Sequence, residues 1–293
     1  MIITITCNPA IDKTIYEDKV VFDAGGKGIN VSKIIKNLGA DSIATGFIGK
    51  KNKNIIIDEL DKLNIKHHFI EIDGDVRTNT KRIINNDLFE ENEKGPSISE
   101  DNKNQLIDYL KQYSNDIVVL SGSCTSDIYY DLVKTLKDNN NYVILDCANE
   151  LLVSGIKAKP DVIKPNKSEI IKFFNCEYNE SEIIEKIKKL GLDFVCLSLG
   201  DSGSIFIYKN KVYKVKPEEV DYRSALGAGD AMVAAIAYSK LNNFDIMETI
   251  KLAVACASAT CETEGSKAPN KQSVILKKEK VEVLSYERFS RLG

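Results

Sequence analysis

A mostly parallel α/β sheet with helices on both faces, built as one domain over residues 1–293, is the fold class this sequence predicts. Three observations predict it. Strand-like and helix-like runs alternate along most of the chain. Polar clusters fall directly after several strand-like runs, where ligands collect in open α/β sheets. The 293 residues, 43% hydrophobic and 28% charged, suffice for one large α/β domain or two modest ones, and no repeat or low-complexity segment divides them.

The opening Met1-Ile-Ile-Thr-Ile-Thr-Cys7 alternates as a strand does and lacks a charged leader, so it is not expected to be a signal peptide. Residues 28–38 have helical period, 42–48 read as a strand, 54–63 as a helix and 67–72 as a strand. The pattern over 99–113 predicts a helix with Ser99 as its cap and Asn102 in its first turn. Strands are expected at 117–121, 142–146, 162–164, 194–199 and 204–208, with a helix at 128–137 between the first two. Residues 87–94 read as a solvated acidic loop. Helices are expected from about Ala228, with Val233, Ile236, Ala237 and Leu241 on the buried stripe, and over 246–262.

Composition excludes several classes of function. A net charge of −3 gives no basic footprint for nucleic acid, and no apolar run approaches the length that spans a membrane. A cytoplasmic location is expected. The seven cysteines (Cys7, Cys124, Cys147, Cys176, Cys196, Cys256 and Cys261) form no CxxC pair and mostly sit in apolar runs, so they read as buried thiols. With only His67 and His68 available, a histidine-based triad or metal site has little to draw on.

The chemistry concentrates in a few stretches. Gly227, Ala228 and Gly229 stand before Asp230 and an apolar helix. Small residues there leave backbone N–H groups reachable at the positive end of the helix dipole, a site for an anion. Asp230, in the same turn, is placed to take a proton from a hydroxyl beside that anion. The same residues also make an ordinary helix start with an acidic first turn. Ala24-Gly-Gly-Lys-Gly-Ile-Asn30 is either a tight turn into a helix or a second place where a ligand nears the backbone. It has neither Walker A spacing nor a dinucleotide fingerprint. Arg77, Asn79 and Lys81 share one side of an extended segment, as a phosphate clamp or a charged edge strand would. In Lys164-Pro-Asn-Lys-Ser-Glu169, Asn166 and Glu169 make a capping box or, through waters, a Mg²⁺ site.

Taken together, Asn-Pro-Ala-Ile-Asp at 8–12, Gly-Gly-Lys-Gly-Ile-Asn, Arg-x-Asn-x-Lys, Lys-Pro-Asn-x-x-Glu and the late Gly-Ala-Gly-Asp resemble the PfkB (ribokinase-like) sugar kinases. More narrowly, the chain looks like the 1-phosphofructokinase and tagatose-6-phosphate kinase branch. The resemblance covers essentially the whole chain. It implies a three-layer α/β/α sandwich with a small β lid, ATP and Mg²⁺ as cofactors, and a monovalent cation as a further candidate. Asp230 is implied as base, and Gly227, Ala228 and Gly229 as the anion hole. Asp12, Gly26, Lys27 and Asn30 are implied at the sugar hydroxyls, and Arg77, Asn79, Lys81 and Ser123 near the sugar's phosphate. Lys164, Asn166, Ser198, Gly200 and Gly203 are implied along the nucleotide, with Asn166 and Glu169 organising the metal.

One departure stands out. Only 12 residues separate Asp12 from Gly25, about half the span such lid strands need at about 3.3 Å per residue. A shortened lid is therefore expected, drawn from 13–24 and 77–90, and with it a monomer or weak dimer. The expected activity is phosphorylation of fructose 1-phosphate, with tagatose 6-phosphate as the second candidate acceptor. A catalytically weak sugar-phosphate-binding protein of the same fold is the alternative from another class. The expected partners are small molecules, sugar phosphate and ATP, with neither nucleic acid nor membrane among them.

Overall fold

The computed structural model describes residues 1–84, 87–216, 220–265 and 267–285. β1 (Ile2–Thr6) is followed by a hairpin, β2 (Ala10–Ile15) and β3 (Val20–Gly25), and by α1 (Lys27–Leu38). Next come β4 (Ser42–Lys51), α2 (Asn54–Lys62), β5 (Lys66–Asp75), β6 (Arg77–Ile84) and β7 (Asp87–Asn92). The middle of the chain holds α3 (Glu100–Leu110), β8 (Ile117–Ser121), α4 (Tyr129–Asp138), β9 (Tyr142–Asp146) and α5 (Asn149–Lys157). After these lie β10 (Val162–Ile163), α6 (Lys167–Phe174), α7 (Glu180–Lys188), β11 (Phe194–Ser198), β12 (Ser204–Tyr208) and β13 (Lys211–Val215). The last described elements are α8 (Ala228–Leu241), α9 (Ile246–Cys261), α10 (Lys271–Lys280) and β14 (Val283–Ser285).

The main sheet runs β14-β13-β12-β11-β10-β9-β8-β1-β4-β5. From β11 through β5 every pair is parallel, and beyond β11 every pair is antiparallel. Its strands are apolar on both faces because both faces are covered. Ile3, Ile5, Val118, Leu120, Val143 and Leu145 pack with α3 to α7. The alternate residues Ile2, Ile117, Val119 and Ile144 pack with α1, α8, α9 and α10. The result is a ribokinase-like α/β/α sandwich. The strand order turns outward in both directions from β1, which makes the carboxyl ends of β1 and β8 the natural crevice.

α8 is buried on every side from Ala231 to Ala237, since the sheet, α1 and α9 all press on it. Its small alanines permit that close approach. Leu241, expected on the same stripe, is exposed because the helix there runs out past its neighbours. α3 begins as expected, with Ser99 and Asn102 closing a capping box.

The second sheet, β3-β2-β6-β7, takes in the residues expected to form the lid. Its hairpin is more complete than the short Asp12-to-Gly25 span suggests. Six residues of β2 pair with six of β3, from Ala10 with Gly25 to Ile15 with Val20, because the strands extend past both ends of 13–24. Residues 87–94 also depart from expectation. β7 pairs antiparallel with β6, setting Glu90 opposite Lys81 and Glu91 opposite Thr80. Cross-strand pairing with a basic neighbour makes a strand of acids that read locally as a loop.

Candidate active site

Gly227 opens α8 at φ 80°, a left-handed conformation that glycine adopts without a steric cost. Behind it, Asp230 is 6% exposed, and no side chain caps this helix. Its Oδ2 instead accepts a hydrogen bond from Asn30 Nδ2 at 2.8 Å. Burial, with repulsion from Asp146, pushes its carboxyl up to about 6, against the pull of Lys27, the Asn30 bond and Lys164. A carboxylate held near that value changes protonation close to neutrality, as a general base requires. The Ala228 N–H turns back to Ala225 O at 3.3 Å, which weakens its part in the expected anion hole relative to Gly229.

Beneath this turn lies a buried charge network that sequence reasoning did not assign. Asp146, fully buried at the end of β9, has its Oδ1 3.2 Å from both Lys27 Nζ and Lys164 Nζ. Burial works to raise its carboxyl, but the two lysines, acting by charge and by hydrogen bonds, win and hold it below the usual range. Attraction to Asp146 in turn raises Lys27. Lys164 is itself buried, and a Cβ added at Gly229 would lie 3.1 Å from its Nζ, so the cation sits against the first turn of α8. The only signal in the sequence was an acid ending a buried strand.

The sugar side is built from the lid base. Asn79 and Asp12 are in register between β6 and β2, and Asn79 Nδ2 donates to Asp12 Oδ1 at 2.9 Å. Arg77 Nη1 donates to Asn79 Oδ1 at 3.1 Å and its Nε to Asn8 O at 3.2 Å. Asn8 Nδ2 donates to Ser123 Oγ at 3.3 Å. Gly26, at φ 118°, turns the chain into α1 and brings Lys27 and Asn30 to the site. Arg77, Lys27, Ser123, Asn8 and Glu169 all line one cleft of about 630 Å³ over the carboxyl ends of β1, β8 and β9. Lys81 is not among the lining residues. Four residues of strand separate it from Arg77, about 13 Å between backbones, so Lys81 stands on the same face farther up the lid. Thr6 Oγ1, on the cleft wall, is buried without a partner, as are Asn30 Oδ1, Ser121 Oγ and Asp146 Oδ2, hydrogen-bonding capacity that a bound polar ligand or water can use.

Asn166 and Glu169 form the capping box of α6, with Glu169 N donating to Asn166 Oδ1 at 2.8 Å and Asn166 N to Glu169 Oε2 at 2.9 Å. That cap uses one carboxylate oxygen of Glu169, which also faces the cleft. Among the described residues no three His, Cys, Asp or Glu side chains gather into a metal cage. The donor set fits Mg²⁺ nonetheless, because this ion is usually held by one or two carboxylates, waters and substrate phosphates. Ser198 ends β11 beside Asn166 through an isolated parallel bridge. Gly200, in a short 3₁₀ turn, and Gly203, at its end, follow directly after β11.

A helix N-terminus, an elevated carboxyl, a buried lysine and a half-buried one beside a cleft with an arginine on its rim define a phosphotransferase of the ribokinase-like class. The chain matches the pfkB family of carbohydrate kinases over residues 1–273, and it belongs to that family. It is 34% identical over 281 residues to a 1-phosphofructokinase of Borreliella burgdorferi, covering 89% of this chain and 91% of that one. A tagatose-6-phosphate kinase of Staphylococcus epidermidis is 31% identical over 283 residues, covering 86% and 89%. The solved phosphofructokinase-2 of Escherichia coli in complex with potassium superimposes with a TM-score of 0.89 at 23% identity, covering 95% and 98%, and shows the shared fold. Among the described residues no helix is long and apolar enough to cross a membrane.

Proposed function

We propose that this kinase transfers the γ-phosphoryl of ATP to a hydroxyl of a ketohexose phosphate, converting fructose 1-phosphate to fructose 1,6-bisphosphate, with tagatose 6-phosphate as the second acceptor. The observation that carries the reading is Asp230: a buried carboxyl pushed up to about 6, uncapped to its own helix and set beside the backbone N–H groups of that helix. Asp230 accepts the proton of the attacking hydroxyl, and Asn30 orients the carboxylate. The first turn of α8, with Gly229 in it, and Lys164 against it oppose the charge on the transferring group. Lys27, held by Asp146, adds a cation on the cleft side. Asp12, fixed by Asn79, faces the sugar hydroxyls, and Arg77 with Ser123 meets the phosphate already on the sugar. Glu169 and Asn166 would hold Mg²⁺, which would supply charge neutralisation on the nucleotide phosphates.

The four-stranded lid supports an enzyme over a passive binder, since a lid excludes water from a reacting phosphate. ADP release measured with fructose 1-phosphate, tagatose 6-phosphate, fructose 6-phosphate and the free sugars tests the assignment. Turnover with the first two acceptors and little with free sugars is expected. Acceptor binding without ADP release in any case would leave the sugar-phosphate-binding alternative.

A further inference from the structure

Three cysteines stand just past the carboxyl ends of three neighbouring strands. Cys7 follows β1, Cys124 lies three residues beyond β8, and Cys147 follows β9. β1 pairs with β8 and β8 with β9. Thr6 is in register with Ser121, and just beyond the ladder the two chains stay tied by the bond from Asn8 to Ser123. Cys7 is buried, whereas Cys124 is half-buried and lines the cleft. The two thiols lie close enough to shift each other's acidity. Interaction with Cys7, then the backbone N–H groups of Ser126 and Thr125 and the charge of Lys103, lowers Cys124 against the effect of burial. The same pairing, with burial, keeps Cys7 well above the usual thiol range. Cys147 also lines the cleft, but burial and the Asp146 charge hold it up as a thiol. Phosphoryl transfer uses none of these sulfurs.

We propose that Cys124 and Cys7 form a dithiol site at the cleft floor that hydroperoxides oxidise to a disulfide, with reversible loss of turnover. The Cys124 thiolate attacks one peroxide oxygen, the O–O bond breaks, and hydroxide leaves, giving a sulfenic acid on Cys124. Cys7 sulfur then attacks the Cys124 sulfur, forming the S–S bond and expelling the sulfenic oxygen. The Cys7 proton goes to the departing oxygen, so that two thiols and H₂O₂ give one disulfide and two waters. Closing the bond draws the 122–127 loop toward β1 and shifts Ser123, which lies beside Asn8 and Arg77 in the same cleft. The loss of turnover rests on the kinase reading; formation of the disulfide does not.

Non-reducing peptide mapping of the full chain after hydrogen peroxide is the test. The expected map links Cys7 to Cys124, loses two of the seven thiols and returns to the reduced map with dithiothreitol, and ADP release falls and recovers in step. Before oxidation, iodoacetamide should alkylate Cys124 on the order of tenfold faster than the buried Cys196 or Cys256, both pushed up to about 12. In Cys124→Ser, whatever its starting rate, turnover should no longer respond to peroxide. A Cys124–Cys147 link, a Cys124 sulfinic acid with Cys7 still free, or a pair that stays reduced would each overturn the dithiol site. A Cys7–Cys124 disulfide with unchanged turnover would overturn the link to activity.

Discussion

Replacing Asp230 with asparagine should make the protein more stable at neutral pH. The amide keeps an oxygen for the Asn30 donor at nearly the same volume, and since α8 has no side-chain cap, no cap is lost. What disappears is a buried charge. A carboxyl whose value rises from 3.8 to about 6 on folding favours the folded state fully only below the unfolded value, and that contribution is lost as pH rises through about 6. The ionised form therefore costs the fold roughly 3 kcal/mol at pH 7. Urea unfolding of wild type and Asp230→Asn at several pH values measures this directly. The variant should be ahead at pH 7, with the gap closing as pH falls from about 6 toward 4. If Asp230 were a capping acid, the substitution would be near neutral at every pH, since asparagine caps as well as aspartate. A variant less stable than wild type at pH 7 would refute the reasoning.

Asp146→Asn should act with the opposite sign. It leaves buried Lys164 and its neighbour Lys27 without their carboxylate, a loss of about 3–5 kcal/mol, read by the same unfolding assay. It also removes repulsion from Asp230, so the acidic limb of the kcat–pH profile should move to lower pH; an upward move would contradict the network. Arg77→Ala should raise KM for sugar phosphate by about ten- to a hundredfold, the loss of one charge-assisted contact, with little change for Lys81→Ala. Equal effects at both positions would show that the lid brings Lys81 to the phosphate. Among the described residues the small sheet exposes few large hydrophobics, Val20, Phe22 and Phe89, little apolar surface to hold a tight interface. Sedimentation at low micromolar concentration should show a monomer or weak dimer, and a tight dimer through the lid would contradict this.

The layers of the fold were legible because their signals are local. β1, β8 and β9 are apolar runs ending in polar residues, and α3 announces itself through Ser99 and Asn102. α7 went unread although Ile183, Ile184 and Ile187 bury one face, and α5 and α10 were missed as well. β13 and β14 are short strands at one end of the sheet, stabilised by their neighbours, with little pattern of their own. Long-range contacts decided the rest. β7 is a strand because β6 lies beside it. Asp146 meets Lys27 from 119 positions away, which no spacing rule reveals. Asn166 and Glu169 show why two readings stayed open: the structure displays the capping box, and the same Glu169 still faces the cleft. Arg77 and Lys81 share a strand face as read, and of the two Arg77 lines the cleft.

The most direct test of the central claim is kcat for ADP release by Asp230→Asn with fructose 1-phosphate, measured beside wild type at pH 7.5 on protein shown to be folded. Loss of the base predicts a fall by a factor on the order of 10²–10⁴ with ATP affinity retained. A variant that keeps most of its turnover would remove Asp230 from the chemistry and with it this account of the site.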